Sequence, residues 1–129
     1  MAITFTYDET GSICKIIAAW VSVAGTTAGT SKKISGRLLH GTTDPDGVAA
    51  PDLNYDIVLT DEQSVDVLGN CTDDLMNRHN ANTEDIVFFL TDGVTTVGLS
   101  PAVCDALTFT VTNTGGADAG EIIIYWQRA

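Results

Sequence analysis

Apolar and polar residues alternate with a period of two through much of the chain. Ile3, Phe5 and Tyr7 alternate with Thr4 and Thr6, Tyr55, Ile57 and Leu59 with Asp56 and Thr60, and Leu107, Phe109 and Val111 with threonines. That period marks strands with one face buried. Residues 12–23 form a longer apolar stretch around Trp20, which predicts a central strand covered on both faces. Residues 33–40 read as a strand interrupted by Gly36, and a glycine inside a strand marks a bulge or a close backbone approach. Asp61-Glu62-Gln63-Ser64 joins residues 55–60 to Val65-Asp66-Val67-Leu68 as a hairpin. Residues 86–90, 95–99 and 122–126 complete the strands. Loops are predicted over the Gly- and Thr-rich residues 25–31 and over 41–53, where Asp44-Pro45-Asp46-Gly47 and Pro51 fall.

One short helix is predicted near 72–80. Thr72 caps it, Asp73 and Asp74 occupy its first turn and Arg78 and His79 its last, so each charge lies at the favourable end of the helix dipole. Eight or nine short strands with turns between them predict an all-β chain, a jelly-roll-like β-sandwich or a small barrel. A single domain over 1–129 is expected, because a monomer of 13.6 kDa exposes roughly 6,600 Å² against roughly 19,700 Å² when unfolded, enough to bury one core.

Charge narrows the choice of partner. The chain carries 17 acidic and 6 basic residues, a net −11, which argues against nucleic acid and against an anionic membrane as partners. With 44% hydrophobic residues it is also too apolar for acid-rich disorder. Residues 1–43 hold Lys15, Lys32, Lys33 and Arg37 against Asp8 and Glu9, a net +2, which leaves −13 for residues 44–129. If the fold keeps those segments apart, two unequal faces or one weakly basic edge on an acidic body follow.

Candidate chemistry is sparse. Cys14, Cys71 and Cys104 are widely spaced, form no CxxC pair and read as buried thiols of a reducing compartment. The first residues lack the basic and apolar regions of a signal peptide, and the longest apolar run falls far short of the ~20 residues a span requires, so synthesis and folding in a cytoplasm are expected. The Asp44-Pro45-Asp46-Gly47 turn fails as an EF-hand loop, because Val48, Ala49 and Tyr55 fall where an oxygen donor, the glycine and the last ligand are required. Asp56, Asp61, Glu62 and Asp66 surround the predicted hairpin. They read first as a solvated face and second as a hard-cation site, with Asp56 and Asp66 approaching across the strands. Trp20, Tyr55, Tyr125 and Trp126 read as core packing with a strand-end ring, and alternatively as a sugar-stacking platform. No serine elbow, acid–base pair or phosphate-cradling loop is present, so neither a catalytic site nor a cofactor is expected.

The middle of the chain carries a more specific pattern. Asp52-Leu53-Asn54-Tyr55-Asp56-Ile57-Val58-Leu59-Thr60-Asp61 runs into Val65-Asp66-Val67-Leu68-Gly69. Leu75, Asn77-Arg78 and Asn82-Thr83-Glu84 follow, and Leu107-Thr108-Phe109-Thr110-Val111-Thr112-Asn113 precedes a glycine-rich turn. This resembles a group of small tailed-bacteriophage virion structural proteins, over residues 34–127 in pattern and most specifically over 54–84. Cys71 and Thr72-Asp73 depart from the small residues such proteins place after the Gly69 turn. The resemblance implies a non-enzymatic virion component and favours no one position in the particle; the leading expectation is a head decoration (cement) protein on the capsid exterior. Its partner would be the major capsid protein and its oligomer a trimer. Lys15, Lys32, Lys33 and Arg37, within an N-terminal 1–43 region able to act as an arm, are the expected capsid contacts. The alternatives are a tail or fibre-base component and a carbohydrate- or calcium-binding β-sandwich module.

Overall fold

The computed structural model describes residues 3–67, 78–86, 90–91, 96–97 and 101–129. Among the described residues nine strands occur: β1 Ile3–Asp8, β2 Ile13–Val21, β3 Thr27–Pro45, β4 Asp56–Thr60, β5 Glu84–Ile86, β6 Leu90–Thr91, β7 Thr96–Val97, β8 Ala102–Thr112 and β9 Ala119–Arg128. Seven of them form one antiparallel sheet in the order β1-β2-β9-β3-β8-β4, with β5 added along β3, while β6 and β7 pair separately. The protein is all-β, and no helix occurs among the described residues. Residues 72–77 of the expected helix lie outside the described set. Its expected last turn is not helical, because Arg78 bridges Tyr55: the Arg78 N–H donates to the Tyr55 carbonyl at 2.7 Å and the Arg78 carbonyl accepts from Asn54 at 3.0 Å.

The 19-residue β3 organises the sheet. Residues 27–37 pair with β8, and residues 36–45 pair with β9. The sheet therefore folds on itself as a sandwich or small open barrel: β1, β2, β9 and the second half of β3 form one layer, and the first half of β3, β8 and β4 form the other. Phe5 of β1 meets Phe109 of β8 with ring centroids 5.4 Å apart, and Trp20 of β2 meets Tyr55 at 5.7 Å. Between the layers lie Ile16, Ala18, Trp20, Leu38, Ile57, Leu59, Leu107, Phe109, Val111, Ile122 and Ile124, all essentially inaccessible.

Two irregularities let one strand serve both layers. Pairing slips between Thr30 and Lys33 and again between Leu38 and His40, and each slip resets which residues face inward. Thr27, Ser31, Ile34, Leu38, Gly41 and Thr43 are buried as a result, a spacing that strict alternation would not give. Gly36 pairs with Val103 on one side and Arg128 on the other, at the point where β3 changes partners. Its φ is +155°, and a Cβ there would overlap the Gln127 carbonyl. The close approach read from the sequence at this glycine is thus a backbone-on-backbone contact.

Residues 25–31 and 41–53 are not loops throughout, since β3 begins at Thr27 and runs to Pro45. Gly29 looks loop-like by composition, yet it packs beneath β1, where an added Cβ would stand 2.9 Å from the Ile3 Cβ. The predicted 61–64 turn is present: the Asp61 N–H donates to Val65 and the Val67 N–H to Leu59, each at 3.0 Å.

Gly36→Ala is expected to lower unfolding stability by at least ~2 kcal/mol, because either β3 or the Gln127 carbonyl must move. Gly47→Ala, which meets nothing within 4 Å, should stay within about 0.5 kcal/mol of wild type. Urea titration of both variants measures the contrast.

Candidate functional site

The first layer buries one face, and among the described residues nothing covers the other. The outward residues lie in rows across β1, β2, β9 and β3: Asp8, Lys15, Tyr125 and His40; then Thr6, Ile17, Ile123 and Thr42; then Thr4, Ala19, Glu121 and Asp44. Val21 opposite Ala119 continues the series. On β2 every second side chain from Ile13 to Val21 points outward, and only Lys15 among them is charged. Ile13 and Val21 are about half exposed, at 51% and 52%, and Val23 beyond them is 61% exposed. The double covering predicted for residues 12–23 is therefore corrected. The stretch is central within its layer, but nothing among the described residues lies over its outer face. An apolar strip on a solvated sheet is the candidate contact surface of this layer.

At its Val21 end the strip opens into a concavity of about 810 Å³ lined by Thr4, Ala19, Val21, Asp44, Gly120 and Glu121, with Asp46 on its rim. The surrounding loops are fixed by a buried hub. The Ser22 and Thr114 hydroxyls, both fully buried, lie 2.7 Å apart, and Ser22 Oγ also donates to the Gly116 carbonyl at 2.8 Å. The Thr114 N–H donates to Gly25, Ser22 to Asp118, Asp52 to Thr114 and Asp46 to Ala119, all through the backbone. Three loops are thereby joined at one end of the sandwich, with Gly25 and Gly115 supplying the positive φ of +84° and +98° that the turns require.

That end is strongly acidic. It gathers Asp44, Asp46, Asp52, Asp118 and Glu121, and among the described residues no basic side chain stands at ion-pair distance from any of them. Asp46 accepts the N–H groups of Ala49 at 2.7 Å and Val48 at 2.9 Å. These bonds hold its carboxyl below the usual range and keep it anionic at neutral pH. Asp44 accepts the Thr83 hydroxyl at 3.1 Å.

The four basic residues singled out in the sequence do not form one patch. Lys15 lies on the uncovered face with its Nζ 6.0 Å from the centre of the Tyr125 ring, whose other neighbour is the stacked imidazole of His40. Lys32 pairs with Glu9 at 2.5 Å and lies 4.6 Å above the Tyr7 ring. Lys33 faces Glu62 at 3.7 Å, and Arg37 sits where β3 changes partners. Residues 3–43 supply β1, β2 and most of β3, so this part of the expected arm is woven into the sheet. The strand order places β9 between β2 and β3 and β3 between β9 and β8, so the less acidic and the acidic segments share the sheet and charge does not divide by segment. Lys15, Arg37 and Arg128 lie toward the end opposite the acidic loops.

The other candidates resolve individually. Asp66 bridges Thr60, four residues along from Asp56, so the two carboxylates are not cross-strand partners. Asp56 is buried and accepts the Asn113 side-chain amide. Asp61 accepts the backbone N–H groups of Gln63 and Val65 at 2.9 Å, and Glu62 that of Ala106 at 3.2 Å. Among the described residues no three His, Cys, Asp or Glu side chains are placed to hold a metal ion. Trp20, Tyr55 and Trp126 are core residues and only Tyr125 faces outward, so the four aromatics form no common platform. Cys14 is buried, Cys104 is exposed rather than buried as the sequence suggested, and Cys71 lies outside the described residues.

Tyr55 carries the largest electrostatic perturbation. Its hydroxyl is buried facing that of Thr43, without a geometrically sound hydrogen bond between them. Burial pushes its pKa up to about 12. Comparison of the chain with protein-family models, curated proteins and solved structures found no match.

Two outcomes follow for this end of the molecule. Ser22→Ala removes the hub hydroxyl and leaves Thr114 and the Asp118 N–H without it, and should cost ~1–3 kcal/mol by urea titration. Between pH 10 and 12 the unfolded chain ionises Tyr55 while the fold keeps it protonated, so stability falls as pH rises through this window. Tyr55→Phe should show a shallower decline there in thermal melts.

Proposed function

We propose that the protein is an adhesive structural component of a tailed-bacteriophage virion, a decoration protein on the head exterior bound to the major capsid protein. The observation that carries this reading is the uncovered apolar strip of β2 and β9, held on a rigid all-β scaffold. The resemblance of residues 34–127 to small virion proteins agrees with it.

Adhesion of this kind needs no chemistry at the contact. Each copy removes apolar area from water at ~25 cal/mol per Å², and binding to the assembled shell stabilises that shell by mass action. A trimeric arrangement would let several modest contacts act together, since later contacts form at high effective concentration. The net charge of −11 keeps decorated particles apart in solution and favours no contact with the packaged genome.

The test is the composition of purified particles. Mass spectrometry should find the protein in stoichiometric ratio to the major capsid protein, and immunogold should label heads. Absence from particles would overturn the reading, and label confined to tails would replace it with a tail or fibre-base role. Particles assembled without the protein should release DNA at a lower temperature than decorated ones.

A further inference from the structure

We infer that docking occurs at the acidic end of the uncovered β1–β2–β9–β3 face, and that this end takes a partner surface presenting aliphatic side chains flanked by Lys or Arg. The inference rests on the adhesive reading above and names its contact surface and the chemistry of its partner.

Three features select this partner. The floor is apolar and low: Ala19 and Ala119 are small, while Ile17, Val21 and Ile123 stand around them. A shallow trough with such a floor admits partner side chains larger than its own. A Cβ at Gly120 would lie 2.6 Å from the Trp20 ring, so the packing beneath the floor holds this position to glycine.

The rim is anionic and locally uncompensated. Asp44 and Glu121 are direct cross-strand neighbours, and Asp46 follows Asp44 by two residues. Like charges so placed repel one another, and a cationic side chain between them relieves that repulsion as well as adding its own attraction. The protein's own bases do not serve this purpose. Lys32, Lys33 and Arg78 face Glu9, Glu62 and Glu84, Arg128 donates to the Glu9 carbonyl, and among the described residues no base stands at ion-pair distance from Asp44, Asp46 or Glu121.

The trough is also built before any partner arrives. The Ser22–Thr114 hub and the Asp46 turn fix the loops around it, so little ordering is required on binding. A negative end also steers a basic surface toward itself, raising the encounter rate at low salt.

The direct probe is the heptapeptide Lys-Thr-Val-Thr-Val-Thr-Lys, which places Lys, Val, Val and Lys on one face when extended. Titrated into the labelled protein and followed by NMR, it should shift the amide signals of Val21, Ala119, Gly120 and Glu121 saturably. Asp44→Asn with Glu121→Gln should weaken it at least about fivefold, since both retain acceptors and lose only charge. The peptide with Glu in place of Lys should leave these signals unmoved. Saturable shifts at the Arg37 end, or none, would overturn the inference. Binding of the same variants to heads lacking the protein separates this claim from the virion reading. If wild type and the double variant bind heads equally, the surface assignment fails and the decoration role stands. If wild type ignores heads while the peptide occupies the trough, the decoration role fails and the surface assignment stands.

Discussion

The contact between the Gly36 backbone and the Gln127 carbonyl sets the architecture, because it allows β3 to leave β8 and join β9 without a break in the hydrogen-bonded sheet. A side chain at that position would push the two backbones apart, and the turn from one layer into the other would be lost. The two slips in pairing flank the contact, and the inward residues on either side of it, Ile34 and Leu38, are both buried. Everything above this point in the molecule, including the pairing of β9 with both β2 and β3, depends on the second half of β3 lying where Gly36 directs it. The uncovered face is one side of that four-strand layer.

The charge distribution acquires its meaning from the same geometry. The sequence divides charge at residue 43, yet β9 lies between β2 and β3 and β3 between β9 and β8, so the two segments share one sheet. Lys15, Arg37 and Arg128 lie away from the acidic loops, at the end where Asp8 and Glu9 accompany them. The connection after β3 and the connection between β8 and β9 meet at one end, and together they bring Asp44, Asp46, Asp52, Asp118 and Glu121 close to the apolar strip. Burying the Ser22 and Thr114 hydroxyls at the base of these loops provides the rigidity that holds so many like charges near each other.

Much of the fold is legible in the sequence. The period of two in residues 3–7, 55–60 and 107–112 identifies strands: Ile3, Tyr55, Ile57, Leu59, Leu107, Phe109 and Val111 are buried and Phe5 and Tyr7 partly so, although Asp56 is buried against the pattern, and Gly36 announces a close approach that the structure contains. Composition misleads where glycine and threonine serve inside a strand, as at residues 27–31, because loop statistics do not register that Gly29 lies under Ile3. Arg78 misleads in another way: its capping-compatible position near a chain segment rich in acids suits a helix end, but its backbone is taken by Tyr55.

The site is less legible than the fold. Basic residues attract attention in an acidic chain, although Lys32 and Lys33 have local carboxylate partners that only long-range pairing reveals. The apolar residues 12–23 read as doubly buried for the same reason, since sequence periodicity does not show whether a second layer covers a strand. Asp44 and Glu121 are 77 positions apart, and nothing short of the β3–β9 register makes them neighbours. The central claim, that the uncovered face is where a partner lies, is tested most directly by carboxyl footprinting of the protein free and bound to particles. The account predicts that Asp44, Asp46 and Glu121 lose reactivity on binding while Glu62 and Asp105 keep theirs. Protection of Glu62 and Asp105 with Asp44, Asp46 and Glu121 still reactive would contradict it.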